Sequence, residues 1–136
     1  MVVIVCLDDR EGMMFNGRRQ SRDRVLLADV AAMTRGVCLR AAPCSEKLLR
    51  EHGLSPVIGE DFLSVAEEGD WCFLEDRGLS SYRDKLERLV IYRWNRHYPG
   101  DLFWDLEPGE AGLRLTQRTE FVGSSHETIT KEIFEK

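Results

Sequence analysis

The apolar positions of the chain fall into short runs whose period changes from one segment to the next. Val2 to Leu7 is a continuous apolar run rich in β-branched residues and closed by Asp8-Asp9, the pattern of a central strand buried on both faces. After a loop containing Gly12 and the turn pair Asn16-Gly17, residues Leu26, Leu27, Val30, Ala31 and Met33 recur at helical spacing until Gly36. That spacing predicts a helix from about Arg22 to Arg35. Val37 to Leu39 reads as a short strand, and Ser45 as the cap of a short helix that carries Leu48 and Leu49 and ends at Gly53. Asp61 caps another short helix through Phe62, Val65 and Ala66, stopped by Gly69, before the apolar run Trp71-Cys72-Phe73-Leu74 gives a third strand. Ser80 or Ser81 opens a last short helix, and Leu89 to Trp94 is the fourth strand.

The tail has a different period. Leu113, Leu115 and Gln117 alternate with Arg114, Thr116 and Arg118, and a second alternating segment, Glu127 to Phe134, follows Gly123-Ser124-Ser125. Such a pair reads as a β-hairpin. Helices that alternate with strands before a closing hairpin predict an α/β fold, with a mostly parallel mixed sheet and an antiparallel C-terminal edge.

Length and composition narrow this picture. A chain of 136 residues fits one domain, 1–136, and 43% hydrophobic with 32% charged residues is the balance of a soluble globular protein. The formal charge of −5 argues against a general nucleic-acid binder, because phosphate contacts need a basic surface. No stretch approaches the ~18 apolar residues of a membrane span. The apolar start, followed at once by Asp8-Asp9, does not read as a signal peptide. Cys6, Cys38, Cys44 and Cys72 lack CxxC spacing and read as structural thiols, so a cytoplasmic location is expected.

Two stretches resemble dihydrofolate reductase. Val2-Val3-Ile4-Val5-Cys6-Leu7-Asp8 with Phe15-Asn16-Gly17 is similar to that family's first strand and the loop over its active site. Tyr82 through Trp104, including Leu89-Val90-Ile91-Tyr92-Arg93 and Gly100-Asp101, is similar to its helix, strand and glycine-aspartate loop, and Leu113 to Lys136 to its closing hairpin. The resemblance implies a three-layer sandwich of the dihydrofolate reductase type. It also implies positions for the chemistry, and these are occupied by other residues. The proton-donating acid corresponds to Leu26, the tryptophan before it to Ser21, and the pocket threonine to Tyr92. The glycine pair that lets backbone approach the cofactor pyrophosphate corresponds to Leu74, Glu75 and Asp76, which puts two carboxylates where a dinucleotide phosphate would lie. The glycine-arginine-threonine signature has no counterpart around Ala41 to Ser45, and Met13 and Met14 fill the active-site loop. The chain also resembles short bacterial proteins that carry the label ribonuclease Z. That label implies two zinc ions held by a His-x-His-x-Asp-His cluster, whereas His52, His97 and His126 are remote from one another and lack ligand spacing.

The residues left to carry a function are basic and aromatic. Arg18-Arg19-Gln20-Ser21-Arg22-Asp23-Arg24 sets four arginines at the mouth of the first helix, which points either to an anion site or to a solvated loop neutralised by Asp23. Asp101 is expected to hold this loop down. Tyr92-Arg93-Trp94-Asn95-Arg96-His97-Tyr98 mixes aromatic and basic residues as single-strand nucleic-acid binders do, but Tyr92, Trp94 and Arg96 share one strand face and suit a core or pocket wall. Ser125 and His126, adjacent on a strand, would point to opposite faces and fit a turn better than a nucleophile and base.

The sequence thus supports a non-catalytic or repurposed dihydrofolate reductase-like domain. It would bind a small anionic ligand or a protein partner in the remnant cleft through Arg18, Arg19, Gln20, Arg22, Tyr92, Trp94 and Arg96. No catalytic residue, cofactor or metal is assigned. A reductase with an unusual cofactor mode and an RNA-directed protein are the alternatives.

Overall fold

The double-sided apolar run β1 (Val2–Leu7) lies inside a seven-stranded sheet in the computed structural model, which describes residues 1–136. The other strands of that sheet are β4 (Leu39–Ala41), β5 (Val57–Ile58), β6 (Trp71–Leu74), β7 (Arg88–Arg93), β9 (Arg114–Phe121) and β10 (Ile129–Glu135). Their spatial order is β5-β4-β6-β1-β7-β10-β9. β1 pairs in parallel with β6 and β7, and β4 in parallel with β5 and β6, whereas β10 runs antiparallel between β7 and β9. This is the expected mixed sheet with a closing hairpin.

Strand alternation sets the layers. Val3, Val5 and Leu7 face one core with Leu74, Leu89 and Ile91, covered by Phe62, Leu63, Leu79 and Leu86. Val2 and Ile4 face the other with Phe73, Val90 and Tyr92, covered by Leu26, Leu27 and Val30 of α1 (Arg24–Met33) and Leu48 and Leu49 of α2 (Glu46–Glu51). A sheet covered on both faces needs apolar residues at every position of its central strand, which is why β1 reads as a continuous run rather than an alternation. The remaining helical pieces are short: α3 (Phe62–Val65) and 3₁₀ turns at 43–45, 80–85 and 108–111. No helix is long and apolar enough to cross a membrane.

Several boundaries differ from the sequence expectation. The first helix begins at Arg24 because the Asp23 carboxylate accepts from Val25 N and Leu26 N and caps it there. The second strand is Leu39–Ala41 rather than Val37–Leu39, since β4 pairs in register with Trp71–Phe73. Ser45 caps nothing and instead donates to Glu75. The segment opening at Ser80 is a 3₁₀ turn. The loop after β1 is partly ordered as a second small sheet, in which β2 (Gly12–Phe15) pairs with β3 (Arg18–Arg19) and β8 (Leu102–Phe103). Asn16 and Gly17, with φ of 57° and 72°, make the tight connection between β2 and β3.

Because Ile4 is fully buried and touches the α1 side of the core, Ile4→Ala is expected to cost about 2 to 5 kcal/mol in urea unfolding, whereas Val122→Ala should stay within about 0.5 kcal/mol.

Candidate functional site

The carboxyl ends of β1, β6 and β7 open onto one cleft, the position at which open α/β sheets bind ligands. Its walls are Cys6 from β1, Phe73, Leu74 and Glu75 from the end of β6, Trp94 just past β7, Leu26 and Leu27 from α1, and the segment Arg19 to Asp23. The segment is pinned in place from several sides. Asp8, buried at the end of β1, accepts from Arg10 N, Gly12 N, Tyr98 N and the Gln20 amide, and Gln20 also donates to the Pro99 carbonyl. Asp101 holds the β2–β3 turn by accepting from Asn16 N at 3.0 Å, so it grips backbone rather than an arginine.

Arg19 and Glu75 close the cleft. The Arg19 guanidinium donates to both Glu75 oxygens at 2.9 Å, and further to the Cys44 carbonyl at 3.1 Å. Ser45 Oγ donates to Glu75 at 2.7 Å. A bidentate pair of this kind is the strong form of charge-assisted contact, and here it joins the arginine loop to the end of β6. The space left inside the cleft is about 20 Å³, room for one water molecule. Desolvation in the cleft wall, with the Glu75 charge adding to it, pushes the Cys6 thiol far above its ordinary range and so favours its protonated form.

The second feature of the cleft is a buried polar cluster. Asp23 and His126 have side-chain exposures of 0% and 1% and meet at 2.9 Å, Oδ2 to Nδ1. Asp23 also accepts from the backbone N–H groups of Val25, Leu26, Ser124 and Ser125. Burial alone would raise its pKa, but the Ser125 N–H, the His126 ring and the Ser124 and Leu26 N–H groups outweigh burial and hold the carboxyl well below its ordinary range. A Cβ at Gly123 would collide with this carboxylate, so the hairpin loop passes close because it carries glycine there. The His126 ring stacks on Trp94 with centroids 4.6 Å apart. Its Nε2 lies 3.1 Å from Ser21 Oγ and 2.9 Å from the Tyr98 hydroxyl.

The structure brings Arg19, Gln20, Arg22 and Trp94 to this cleft and does not bring Tyr92 or Arg96 there. Tyr92 is fully buried beside α1, where its hydroxyl donates to Asp29, and burial followed by Asp29 pushes its pKa far up. Arg96 is exposed outside the cleft, and Arg18 lines the adjoining surface groove with Phe15, Asn16, Tyr98 and Pro99. Arg22 is exposed and makes a long ion pair with Glu51 at 3.9 Å. Ser125 and His126 lie in the loop before β10, as the turn reading has it, but they do not point apart: Ser125 Oγ is 3.2 Å from His126 Nδ1. Sequence reasoning missed the Asp23–His126 pair. The readable half of the signal was an Asp placed directly before the periodic apolar residues of a helix.

The fold is that of dihydrofolate reductase. The chain is similar to the dihydrofolate reductase from Enterococcus faecalis, solved in complex with NADP(H) and RAB-propyl, with a TM-score of 0.68 over 98% of this chain and 94% of that one. Sequence identity is 11%, so the likeness describes the architecture alone. No family model matches the chain, and the search of curated proteins gave no match.

Asp23 supplies the pH dependence expected of this site. Its depressed pKa contributes stability that is complete above the ordinary carboxylate range and is lost as pH falls below about 4. Asp23→Ala should cost about 3 kcal/mol near neutral pH by removing a cap and leaving buried N–H groups unpaired. It should also flatten the acid-side fall, which urea unfolding across the acid range would measure.

Proposed function

We propose that this chain is a repurposed dihydrofolate reductase-fold domain without reductase chemistry, which binds a small anionic ligand at the arginine rim of its cleft. The observation that carries the reading is the Arg19–Glu75 pair. It fills the space where the resemblance would put a cofactor phosphate, and it consumes Arg19 internally while Arg18, Arg22 and Arg24 stay exposed around the mouth. Leu26 stands at the acid position and carries no proton to give. The rim offers anion donors: Arg22, Arg24 and His52 line one surface hollow with Ser124 and Ser125. An acidic protein segment would meet the same donors. RNA binding gains no support from the aromatic residues, since Tyr92 and Trp94 are 0% and 4% exposed and present no face to a base. A cytoplasmic setting fits four unpaired cysteines.

Inorganic phosphate or pyrophosphate is expected to raise the melting temperature of the parent chain saturably. Arg22→Glu should remove that response while shifting the unliganded stability by no more than about 0.5 kcal/mol. A full response in Arg22→Glu would contradict the rim assignment. In a fluorescence titration NADPH should not bind, and saturable binding below about 10 μM would revive the reductase reading with an unusual cofactor mode.

A further inference from the structure

Capping a helix needs the Asp23 carboxylate but not a histidine, and the His126 ring does more than satisfy it. An ionised Asp23 only accepts, so in the neutral ring Nδ1 carries the proton and Nε2 presents its lone pair. Ser21 Oγ lies 3.1 Å and the Tyr98 hydroxyl 2.9 Å from that nitrogen, and with the Tyr98 proton turned to Ser21 Oγ at 3.3 Å the lone pair is left to the Ser21 hydroxyl. Ser21 is partly exposed on the cleft wall, whereas Asp23 and His126 are buried. The contacts run hydroxyl, imidazole, carboxylate, with both links at hydrogen-bond distance. This is the arrangement by which a base activates a nucleophile and a third group fixes the base's tautomer.

We propose that Ser21, His126 and Asp23 form a nucleophile, general base and positioning residue for transfer of short acyl groups from esters. Ser21 Oγ bonds to the ester carbonyl carbon as its proton passes to His126 Nε2. The carbon–oxygen bond to the alcohol then breaks, and the departing alcohol takes that proton, leaving an acyl group on Ser21. Water attacks the acyl carbon and gives a proton to Nε2. Release of the carboxylic acid returns the proton to Ser21 and restores the site. Asp23 remains ionised throughout and holds the ring. Arg22, whose exposed side chain makes only a long 3.9 Å pair with Glu51, also lines this cleft and is the cation assigned to meet the oxyanion. Tyr98 positions the Ser21 hydroxyl. The cleft sets the acyl size: with room for one water among Leu26, Leu48, Phe73 and Trp94, it takes the methyl of an acetyl group and excludes a long chain. This inference rests on Ser21, His126 and Asp23, and it stands whether or not phosphate binds at the rim.

The test uses the full chain, a neutral fluorophosphonate probe and p-nitrophenyl esters. The probe is expected to add one phosphonyl group per chain, mapped by peptide mass spectrometry to Ser21. Ser21→Ala, in which the Tyr98 hydroxyl at 2.9 Å can turn its proton to Nε2, should keep the parent melting temperature and lose the label. His126→Gln, checked for folding by circular dichroism, should label about 10²-fold more slowly or worse. The acetyl ester should turn over faster than the octanoyl ester. Absence of label on the folded parent, or label that persists in Ser21→Ala, overturns the proposal, and equal turnover of the two esters overturns the assignment of acyl size.

Discussion

A carboxylate with no exposed surface must have its charge met entirely by protein donors, because an unpaired buried charge costs several kcal/mol. Asp23 meets this condition with groups from two distant parts of the chain: the first turn of α1, and the loop between β9 and β10. The same bonds therefore cap a helix, dock the C-terminal hairpin loop and fix the orientation of His126. The held ring stacks on Trp94, which forms the wall of the cleft just past β7.

Opposite this hub, Arg19 and Glu75 link the arginine loop to the end of β6. The two devices together close a cleft that the fold places at the strand ends. The cleft is occupied by this ion pair and by apolar side chains, with the Asp23–His126 pair buried beside them. Chemistry of the cleft, where it exists, is then set by what lies at the mouth: arginines, and a serine hydroxyl that touches a buried histidine.

Much of the fold was legible because double-sided burial leaves a mark in sequence. β1 and β6 are unbroken apolar runs, and the closing hairpin announces itself by alternation around Gly123-Ser124-Ser125. The small sheet was not legible, since strands as short as Arg18–Arg19 carry no period and exist only through pairing with β2. The site was readable in pieces. The arginine cluster and the carboxylates after β6 stand out as charges, but nothing local says that Arg19 and Glu75, 56 residues apart, would join. Ser21 and His126 are separated by 105 residues, and each looks ordinary in its own segment. Tyr92 was placed in the cleft by strand alternation with Trp94, yet the sheet carries its hydroxyl outward to Asp29 on α1.

The central claim is that Asp23 dictates the state of His126 and thereby aims its outer nitrogen at Ser21. Nitrogen-15 NMR of the imidazole reads this directly. For the neutral ring, reached on the alkaline side, the account predicts a single, unaveraged Nδ1-protonated tautomer for His126 in the parent chain, since an ionised Asp23 can only accept. An Nε2-protonated ring, or shifts averaged between the two tautomers, would contradict it.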